Sequence, residues 1–462
     1  MNIRTIGTAC LALALVFGLA GSASARSSDE AARIEAKLRD VVDVRKATAG
    51  VVFGIVDVRG ARFYSYGRMD VRGDRAVGPD TLFEIGSITK TFTSLLLADM
   101  VVKGEVRLED PVSKYLPAGI RVPSRNGREI ALVDLATHTS GLPRMPSNIK
   151  PSDPMNPYKD YTAAMLYEYL NGHRLNFDIG AQYLYSNVGA GLLGQVLALK
   201  AGKDYETLVR ERILVPLGMT DTTITLNAGQ AGRFATPHDE KLRPVSPWDF
   251  DALAGAGAIR STARDMLKYA AANLGLVETP LARAMELARE PRRVFENLGL
   301  ALGLAWHLFQ RRGAIIVWHN GGTGGFRSWL GLCPKTGTGI VVLDNSSNGL
   351  DALGFEELLE TLPERRSLPV PAEATVDPSV LAGYAGTYVS GGLVLEITAG
   401  PGRLSLAVSG QKPVELFPAS GDRFFARTAD IDLTFRKDAG GRVTGAFLEQ
   451  PWLKLECARK DR

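Results

Sequence analysis

Apolar residues recur at helical spacing at several places in the first two thirds of the chain. The clearest run is Phe92, Leu95, Leu96 and Met100, in which intervals of three and four residues place one apolar stripe along a helix. A long stretch rich in proline and asparagine, 142–161, interrupts the pattern and predicts a loop of the kind that often forms a binding rim. Similar spacing predicts other helices at 31–45, 130–141, 162–171 and 188–200.

A second pattern, short apolar runs separated by turn residues, predicts strands. Two such runs flank Arg59-Gly60 and predict a hairpin over 50–67. Three more, at 314–318, 328–333 and 339–343, predict an antiparallel meander. From residue 377 onward the chain consists of short strands and turns, which is typical of a small antiparallel barrel or sandwich. The strands predicted there are 386–389, 393–397, 404–408, 424–427, 433–436 and 443–448.

Two segments mark the ends of the main domain. Residues 1–25 combine Arg4, an apolar core and Ala23-Ser24-Ala25, a pattern that predicts a signal peptide cleaved after Ala25 and a periplasmic or secreted protein. Prolines and charges without periodicity predict a linker at 362–376. The expected organisation is a signal peptide (1–25), a main domain (26–361), the linker (362–376) and a β-barrel domain (377–462).

Composition excludes several classes of function. The formal net charge of +4 is spread over 462 residues without a basic tract, so no nucleic-acid partner is expected. The apolar run near the N-terminus is too short to span a membrane comfortably, so any membrane association is expected to be peripheral at most; the alternative for this run is an uncleaved anchor. Cys333 and Cys457 remain after cleavage and are predicted to be separate buried thiols. No His, Cys and Asp cluster has metal-ligand spacing, so neither a metal nor another cofactor is expected.

The first candidate for chemistry is Ser87-Ile88-Thr89-Lys90, at the start of the clearest predicted helix. Residues three apart share a helix face, so the Ser87 hydroxyl and the Lys90 amine can meet. A serine needs an adjacent base to become a nucleophile, and a lysine whose pKa is lowered can serve. The same spacing at 147–150 and 409–412 runs into proline, which prevents a helix. Ser87 is therefore the candidate nucleophile, and the alternative is an ordinary helix cap.

Two further polar segments lie beside predicted elements. Tyr185 and Asn187 stand at a loop-to-helix junction, where a phenol can transfer a proton and an amide can bind substrate; Asn187 also suits a helix N-cap. His319 ends an apolar strand and precedes glycines that let a ligand approach the backbone. His138 and the glycine-rich segment 254–257 are interpreted as structural.

With Ser87-Ile88-Thr89-Lys90, Tyr185-Ser186-Asn187 and His319-Asn320-Gly321 in this order, the chain resembles the serine β-lactamase class C and penicillin-binding family. Its relatives include D-alanyl-D-alanine carboxypeptidases, D-aminopeptidases and class C-like esterases. The similarity covers about residues 31–360, and the segment 381–388 resembles the lipocalin-like barrel attached to some members. The resemblance implies an α/β (α+β) fold, in which an antiparallel sheet is flanked by helices beside an all-helical subdomain.

The resemblance also implies roles for individual residues. Ser87 would be the acylated nucleophile, and Lys90 and Tyr185 would share the base and proton-shuttle roles. The backbone N–H groups of Ser87 and Gly322 would form the oxyanion hole. Asn187 would hold Lys90 and the substrate amide. The residues expected to bind substrate are Asn187, His319, Gly321 and Gly322.

The third motif of this family is often Lys-Thr-Gly, and His319-Asn320-Gly321 would take its place. Pro334-Lys335-Thr336-Gly337 spells that motif literally, but its turn residues between two apolar strands predict a hairpin turn that points away from the site. A histidine is mostly neutral near pH 7, so His319 weakens the permanent charge that would hold a substrate carboxylate. This favours a broader hydrolase over an efficient β-lactamase.

The expected function is an exported serine hydrolase that forms an acyl-enzyme on Ser87. Its partner would be a small-molecule or peptide substrate, either a D-amino-acid peptide such as a peptidoglycan fragment or a β-lactam. Two alternatives stay open: an esterase of small acyl esters, and a catalytically silent binder or sensor of cell-wall fragments.

Overall fold

The computed structural model describes residues 29–295, 300–362, 372–390, 393–408, 413–426, 431–450 and 453–460. The predicted signal peptide and most of the predicted linker lie outside these ranges. The helices, in chain order, are α1 (29–39), α2 (Thr89–Val102), α3 (Leu132–Ala136), α4 (Ala163–Gly172), α5 (Asn187–Ala201), α6 (Tyr205–Val209), α7 (Ala228–Ala231), α8 (Ala254–Gly257), α9 (Ala263–Asn273), α10 (Ala282–Arg289), α11 (Asp351–Glu360) and α12 (Pro378–Tyr384). Tighter or wider helical turns lie at Asp40–Val44, Gly86–Ile88, Val112–Tyr115 and Arg210–Leu214.

A large antiparallel sheet forms the centre of the first unit. Its strand order is β2-β1-β12-β11-β10-β9-β8-β7, so the N-terminal hairpin pairs with the last strand of the predicted meander. The strands of this unit are β1 (Gly50–Asp57), β2 (Gly60–Gly67), β3 (Leu82–Glu84), β4 (Ser124–Arg125), β5 (Arg128–Glu129), β6 (Arg260–Thr262), β7 (Arg293–Phe295), β8 (Leu300–Leu302), β9 (His307–Arg311), β10 (Ala314–Gly322), β11 (Arg327–Cys333) and β12 (Thr338–Asp344). The predicted hairpin and meander are both confirmed.

Helices cover both faces of this sheet. Alternate residues of β1 enter different cores, because successive side chains of a strand point to opposite faces. Val52 and Val56 pack with the helices on one face, which include α2 and α9. Phe53 and Ile55 pack with α1 and α11 on the other. This explains why β1 reads as continuously apolar rather than alternating.

Helix α2 lies in the middle of the first core. Its residues from Thr89 to Met100 are all buried, so the single apolar stripe predicted from its sequence understates its burial. Polar residues are tolerated because they find partners. Thr93 Oγ1, for example, lies 2.6 Å from the Tyr205 hydroxyl and donates to the Gly255 carbonyl at 2.7 Å.

The C-terminal unit is a closed antiparallel barrel, so the sandwich alternative was wrong. The sequence pattern missed β16 and β20. Strand β20 pairs with β13 and closes the barrel, a pairing between distant segments that a local pattern does not contain. Stacked Tyr384 and Phe435, with ring centroids 4.0 Å apart, help to fill its interior. The strands are β13 (Gly386–Ser390), β14 (Leu393–Gly400), β15 (Arg403–Val408), β16 (Val414–Pro418), β17 (Arg423–Ala426), β18 (Asp432–Lys437), β19 (Val443–Gln450) and β20 (Leu453–Lys460).

Three local predictions can be compared directly. The helix predicted over 130–141 is shorter, because α3 ends at Ala136 and His138 adopts a left-handed conformation with φ of 56°. The stretch 142–161 is a loop without regular helix or strand, as predicted. Cys333 and Cys457 are buried free thiols, also as predicted.

None of the described helices combines the length and apolar character needed to cross a membrane. In the same described ranges, no group of three or more His, Cys, Asp or Glu side chains is placed to hold a metal ion.

Candidate active site

Ser87 lies on a one-turn helix, Gly86–Ile88, that leads directly into α2. Gly86 has a φ of 48°, a left-handed conformation that glycine adopts at little cost. The preceding residue, Ile85, ties this turn to its neighbours. Its N–H donates to the Ile259 carbonyl at 3.0 Å, and its carbonyl accepts from Ser328 Oγ at 2.8 Å. The half-buried Ser87 side chain is thus presented from a fixed turn.

Lys90 lies one helical turn after Ser87, as the spacing predicts. Its Nζ donates to Ser87 Oγ at 2.9 Å and to the Ala256 carbonyl at 2.7 Å. The side chain is 1% exposed, and this burial, assisted by the charge of Arg144, holds its pKa well below the usual value. A buried neutral amine beside a hydroxyl is suited to accept the hydroxyl proton. The segment 254–257, which sequence reasoning treated as purely structural, supplies one of the two acceptors.

Tyr185 brings its ring to the same place from the loop before α5. Lys90 Nζ lies 4.8 Å from the ring centroid. Burial raises the pKa of the Tyr185 phenol above its usual value, and a hydrogen bond with Ser87 acts in the opposite direction. Lys90 and Tyr185 therefore differ in resting protonation: the amine tends to be neutral and the phenol keeps its proton.

Asn187 is close to the site, but its partners differ from the expected ones. Its Nδ2 donates to the Tyr158 hydroxyl at 3.1 Å, and its Oδ1 is buried without a partner among the described residues. It is the first residue of α5, and the N-cap is Ser186, whose Oγ accepts from the Gly189 N–H. The suggestion that Asn187 is a helix cap was therefore wrong, and its predicted bond to Lys90 is not among the contacts formed.

Strand β10 runs alongside the Ser87 turn and carries the third predicted segment. A Cβ on Gly86 would lie 2.6 Å from the Gly322 nitrogen, which shows how closely the two backbones approach. The Thr323 N–H donates to the Phe326 carbonyl, just before β11. Hydrogen-bonded residue pairs alternate with non-hydrogen-bonded pairs along two antiparallel strands. Gly322 is therefore in a non-hydrogen-bonded pair, and its N–H points away from β11. It is therefore free of that ladder and lies beside the candidate nucleophile.

His319 is fully buried and belongs to a group of neutral histidines behind the site. Burial, together with His307 and Lys90, holds its pKa well below the usual value. Its Nδ1 lies 2.5 Å from the Asn320 carbonyl, and its ring centroid is 6.4 Å from that of Tyr185. The structure brings His319 near Tyr185, but its imidazole is fully buried, which the predicted substrate-binding role did not anticipate.

His138 and His307 complete this group. His138 Nδ1 accepts the Ser186 N–H at 3.1 Å, and the His138 carbonyl accepts the Leu184 N–H at 2.8 Å. These two bonds hold the backbone on both sides of Tyr185. His138 is therefore a structural residue, as interpreted from the sequence, and it also positions Tyr185. His307, whose burial lowers its pKa to about 4, was not singled out from the sequence. Its ring centroid lies 5.0 Å from that of His319, and its Nε2 lies 3.0 Å from the Tyr183 hydroxyl. The pairing of β9 with β10 brings it there, and local patterns do not reveal that pairing.

Lys335 lies far from this cleft. It sits in the β11–β12 turn, and its Nζ donates to the Gly313 carbonyl at 3.2 Å, next to the start of β10. Gly322, at the other end of β10, lies against the Ser87 turn. The strand separates the two ends by about 27 Å at ~3.4 Å per residue. The prediction that Lys335 occupies a hairpin turn remote from the site is confirmed.

Replacing Gly321 with alanine should push β10 away from the nucleophile turn. A Cβ at Gly321 would collide with the Ile85 carbonyl oxygen and with Ser328 Oγ. A displacement of this kind is expected to lower kcat/KM by about 100-fold, because reacting groups tolerate only small misplacement. Steady-state kinetics would measure the loss. Gly172→Ala is the matched control, since its Cβ meets no atom within 4 Å; equal activity of both variants would contradict this account.

Glu84 gives the site region a pH-dependent stability. Burial raises its pKa to about 7 from a usual 4.5, against the opposing charge of Arg260, and its Oε1 accepts the Trp248 N–H at 2.8 Å. The unfolded state releases the proton at lower pH than the folded state, so the free energy of unfolding should fall between pH 4.5 and about 7 and level off above. In Glu84→Gln, part of this dependence of the unfolding free energy on pH should vanish. Chemical denaturation at a series of pH values between 4.5 and about 7 would measure the change. The exposed Glu240→Gln should keep the wild-type slope; loss of slope there would contradict the assignment.

Comparisons with known proteins show which family this chain is similar to. The family model described as Beta-lactamase matches residues 32–361. D-alanyl-D-alanine-carboxypeptidase/endopeptidase AmpH of Escherichia coli (strain K12) is 32% identical over 345 residues, which cover 70% of this chain and 87% of that protein. A beta-lactamase of Pseudomonas fluorescens is 28% identical over 336 residues, covering 65% of this chain and 89% of the relative.

Solved structures give the same picture. The class C beta lactamase from Rhodobacter sphaeroides has 26% sequence identity and a TM-score of 0.62, covering 71% of this chain and 98% of that chain. The beta-lactamase/D-alanine carboxypeptidase from Yersinia pestis has 27% identity and a TM-score of 0.61, with 72% and 98% covered.

Proposed function

The chain belongs to the beta-lactamase family and is a serine hydrolase of that family, and from this premise we propose that it is exported and cleaves D-amino-acid peptides or β-lactams through an acyl-enzyme on Ser87. The observation that carries the proposal is the 2.9 Å hydrogen bond from the buried Lys90 amine to Ser87 Oγ. The substrate class follows from the relatives, which are named as a D-alanyl-D-alanine-carboxypeptidase/endopeptidase and a beta-lactamase.

In the proposed acylation step, Ser87 Oγ attacks the substrate carbonyl while its proton passes to Lys90 Nζ. The oxyanion that forms would accept hydrogen bonds from the backbone N–H groups of Ser87 and Gly322. The Gly322 N–H is available because it points away from β11. The tetrahedral adduct then expels the leaving nitrogen. Tyr185, whose raised pKa keeps the phenol protonated, gives that nitrogen a proton and recovers one from the Lys90 ammonium.

Deacylation repeats these steps with water in place of Ser87 Oγ. Lys90 accepts a proton from the attacking water, and the same N–H groups stabilise the second oxyanion. Ser87 leaves as the alkoxide and takes up the proton, which regenerates the resting hydroxyl. Asn187, through its unpartnered Oδ1, is proposed to accept a substrate amide N–H, and Gly321 allows β10 to approach the turn.

A second candidate, an esterase of small acyl esters, is favoured by one observation. His319 stands where relatives often carry a lysine, and it is fully buried with a pKa held well below the usual value. A neutral, enclosed imidazole holds a substrate carboxylate less well than an ammonium group does.

A hydrolysis screen over a β-lactam, a D-Ala-D-Ala peptide and a nitrophenyl ester would rank these functions. Turnover of the peptide or the lactam supports the proposal, and turnover of the ester alone supports the esterase. A lasting adduct with fluorescent penicillin and no turnover would identify a silent binder. N-terminal sequencing of protein recovered from the producing cell tests export, with Arg26 expected as the first residue if cleavage follows Ala25.

The domain boundaries are also part of the proposal, with the hydrolase over 26–361, a linker over 362–376 and the barrel over 377–462. Limited proteolysis should cut first within the linker.

A further inference from the structure

Arg144 lies beside Tyr185 of the candidate active site, although nothing in the sequence motifs pointed to it. It follows Gly141-Leu142-Pro143 at the start of the long loop, and its side chain is exposed. Its guanidinium carbon lies 5.2 Å from the centroid of the Tyr185 ring. Its backbone carbonyl accepts the Asn187 N–H at 3.1 Å, so the backbone of this residue is fixed relative to the site.

The guanidinium of Arg144 has no carboxylate within salt-bridge distance among the residues that the structure describes. Other arginines of the first unit are engaged: Arg125 pairs with Asp178 at 2.7 Å, and Arg128 pairs with the buried Asp134 at 2.9 Å. The charge of Arg144 nevertheless acts on the groups of the cleft. Those affected are Lys90, His138, Tyr158, Tyr183 and Tyr185.

The other basic groups of the cleft carry little positive charge. Burial favours the neutral forms of Lys90, His138 and His319. Arginine side chains are cations in proteins. Arg144 therefore places a positive charge at an exposed position beside inner basic groups whose neutral forms burial favours.

The position of Arg144 over Tyr185 indicates which part of a substrate it meets. In the proposed mechanism Tyr185 protonates the leaving nitrogen, so a guanidinium whose carbon lies 5.2 Å from the centroid of that ring is close to the leaving group. In both D-alanyl peptides and β-lactams a carboxylate is attached to the carbon next to the leaving nitrogen. A guanidinium can bind a carboxylate through two parallel N–H donors.

We propose that Arg144 binds the carboxylate of the substrate's leaving group and makes the enzyme prefer substrates that carry one. This inference rests on the proposed function of Ser87 and Tyr185. It assigns to a loop residue the recognition of the carboxylate that the fully buried His319 does not provide. The site thus combines a neutral proton-transfer group with a separate anion-binding group.

The test compares substrates that differ only in this carboxylate. One pair is N-acetyl-D-alanyl-D-lactate and its D-lactamide, and a second pair is 3-carboxyphenyl acetate and 3-carbamoylphenyl acetate. The measured quantity is the ratio of kcat/KM for the acid to that for the amide. Each ratio cancels changes in Lys90 basicity, because both members of a pair use the same acylation chemistry.

The expected result is that Arg144→Gln lowers this ratio about tenfold or more and that Arg144→Lys restores part of it. Arg45→Gln removes an equal charge from an exposed position after α1 and should keep the wild-type ratio. An unchanged ratio in Arg144→Gln, with both substrates losing activity equally, would overturn the proposal. Turnover of the aryl esters but not of the lactate ester would argue against the peptide substrate class, while the aryl pair still decides the role of Arg144.

Discussion

Replacement of Ser87 with alanine is expected to lower hydrolysis of every substrate by a factor of about 10⁴ or more, because the variant lacks the atom that forms the acyl-enzyme. The fold should persist. Ser87 is half-buried on a turn whose neighbour Ile85 keeps its hydrogen bonds to Ile259 and Ser328, and alanine fits the vacated space. Activity assays, thermal unfolding and mass spectrometry after incubation with a β-lactam would measure the three consequences.

Ser147→Ala provides a matched control for this variant. Ser147 begins the same Ser-x-x-Lys spacing, but it lies exposed in the long loop that precedes α4. Its replacement should leave activity and any acyl adduct unchanged. Substantial hydrolysis by Ser87→Ala, or loss of the adduct in Ser147→Ala, would remove the proposed nucleophile.

Replacement of Lys90 with methionine should lower the acylation rate by a factor of about 10²–10⁴, the usual contribution of a positioned general base. Methionine has nearly the same length and is compatible with the enclosed position of this side chain, which is 1% exposed. Stopped-flow measurement of product release on first turnover would isolate acylation. Lys335→Met removes the lysine of the literal Lys-Thr-Gly sequence from the remote turn and should keep wild-type rates.

The same substitution should change how stability depends on pH. In the folded protein the pKa of Lys90 is well below the usual 10.5, so over the interval between these values the unfolded chain binds one more proton than the folded chain. The wild-type free energy of unfolding should therefore rise with pH as it approaches 10.5. Lys90→Met should lack this part of the slope when denaturant unfolding is compared between neutral and alkaline pH. Equal slopes in the two proteins would show that the amine is charged in the folded state.

Local chemistry was the part of the site that could be predicted most directly. Ser87 and Lys90 meet because a helix places residues three apart on one face, and that relation is contained in four consecutive letters. The exclusion of the other two Ser-x-x-Lys copies as helix starts rests on a similarly local fact, the proline that follows each one. The copy at 147–150 lies in a loop as expected, and the copy at 409–412 lies outside the described residues.

Contacts between distant segments were predicted less completely. The resemblance brought Tyr185 and His319 into the site, but the partners of Asn187, the acceptor at Ala256 and the position of Arg144 became visible only with the fold. Tyr158 illustrates the reason. Its hydroxyl accepts the hydrogen bond from Asn187 Nδ2, yet it lies 29 residues earlier in a loop that has no periodic pattern. The barrel strands β16 and β20 were missed for a related reason, because pairing with remote neighbours defines them.

By itself, the sequence determined the N-terminal hairpin, the central meander, helix α2 and which hydroxyl has an amine one helical turn away, because hydrophobic periodicity and helix geometry act over a few residues. Only the tertiary structure decided the charge state of the site. Whether Lys90, Tyr185 and His319 hold or release protons depends on how completely distant segments exclude water from them, and burial by separate parts of the chain leaves no local signal.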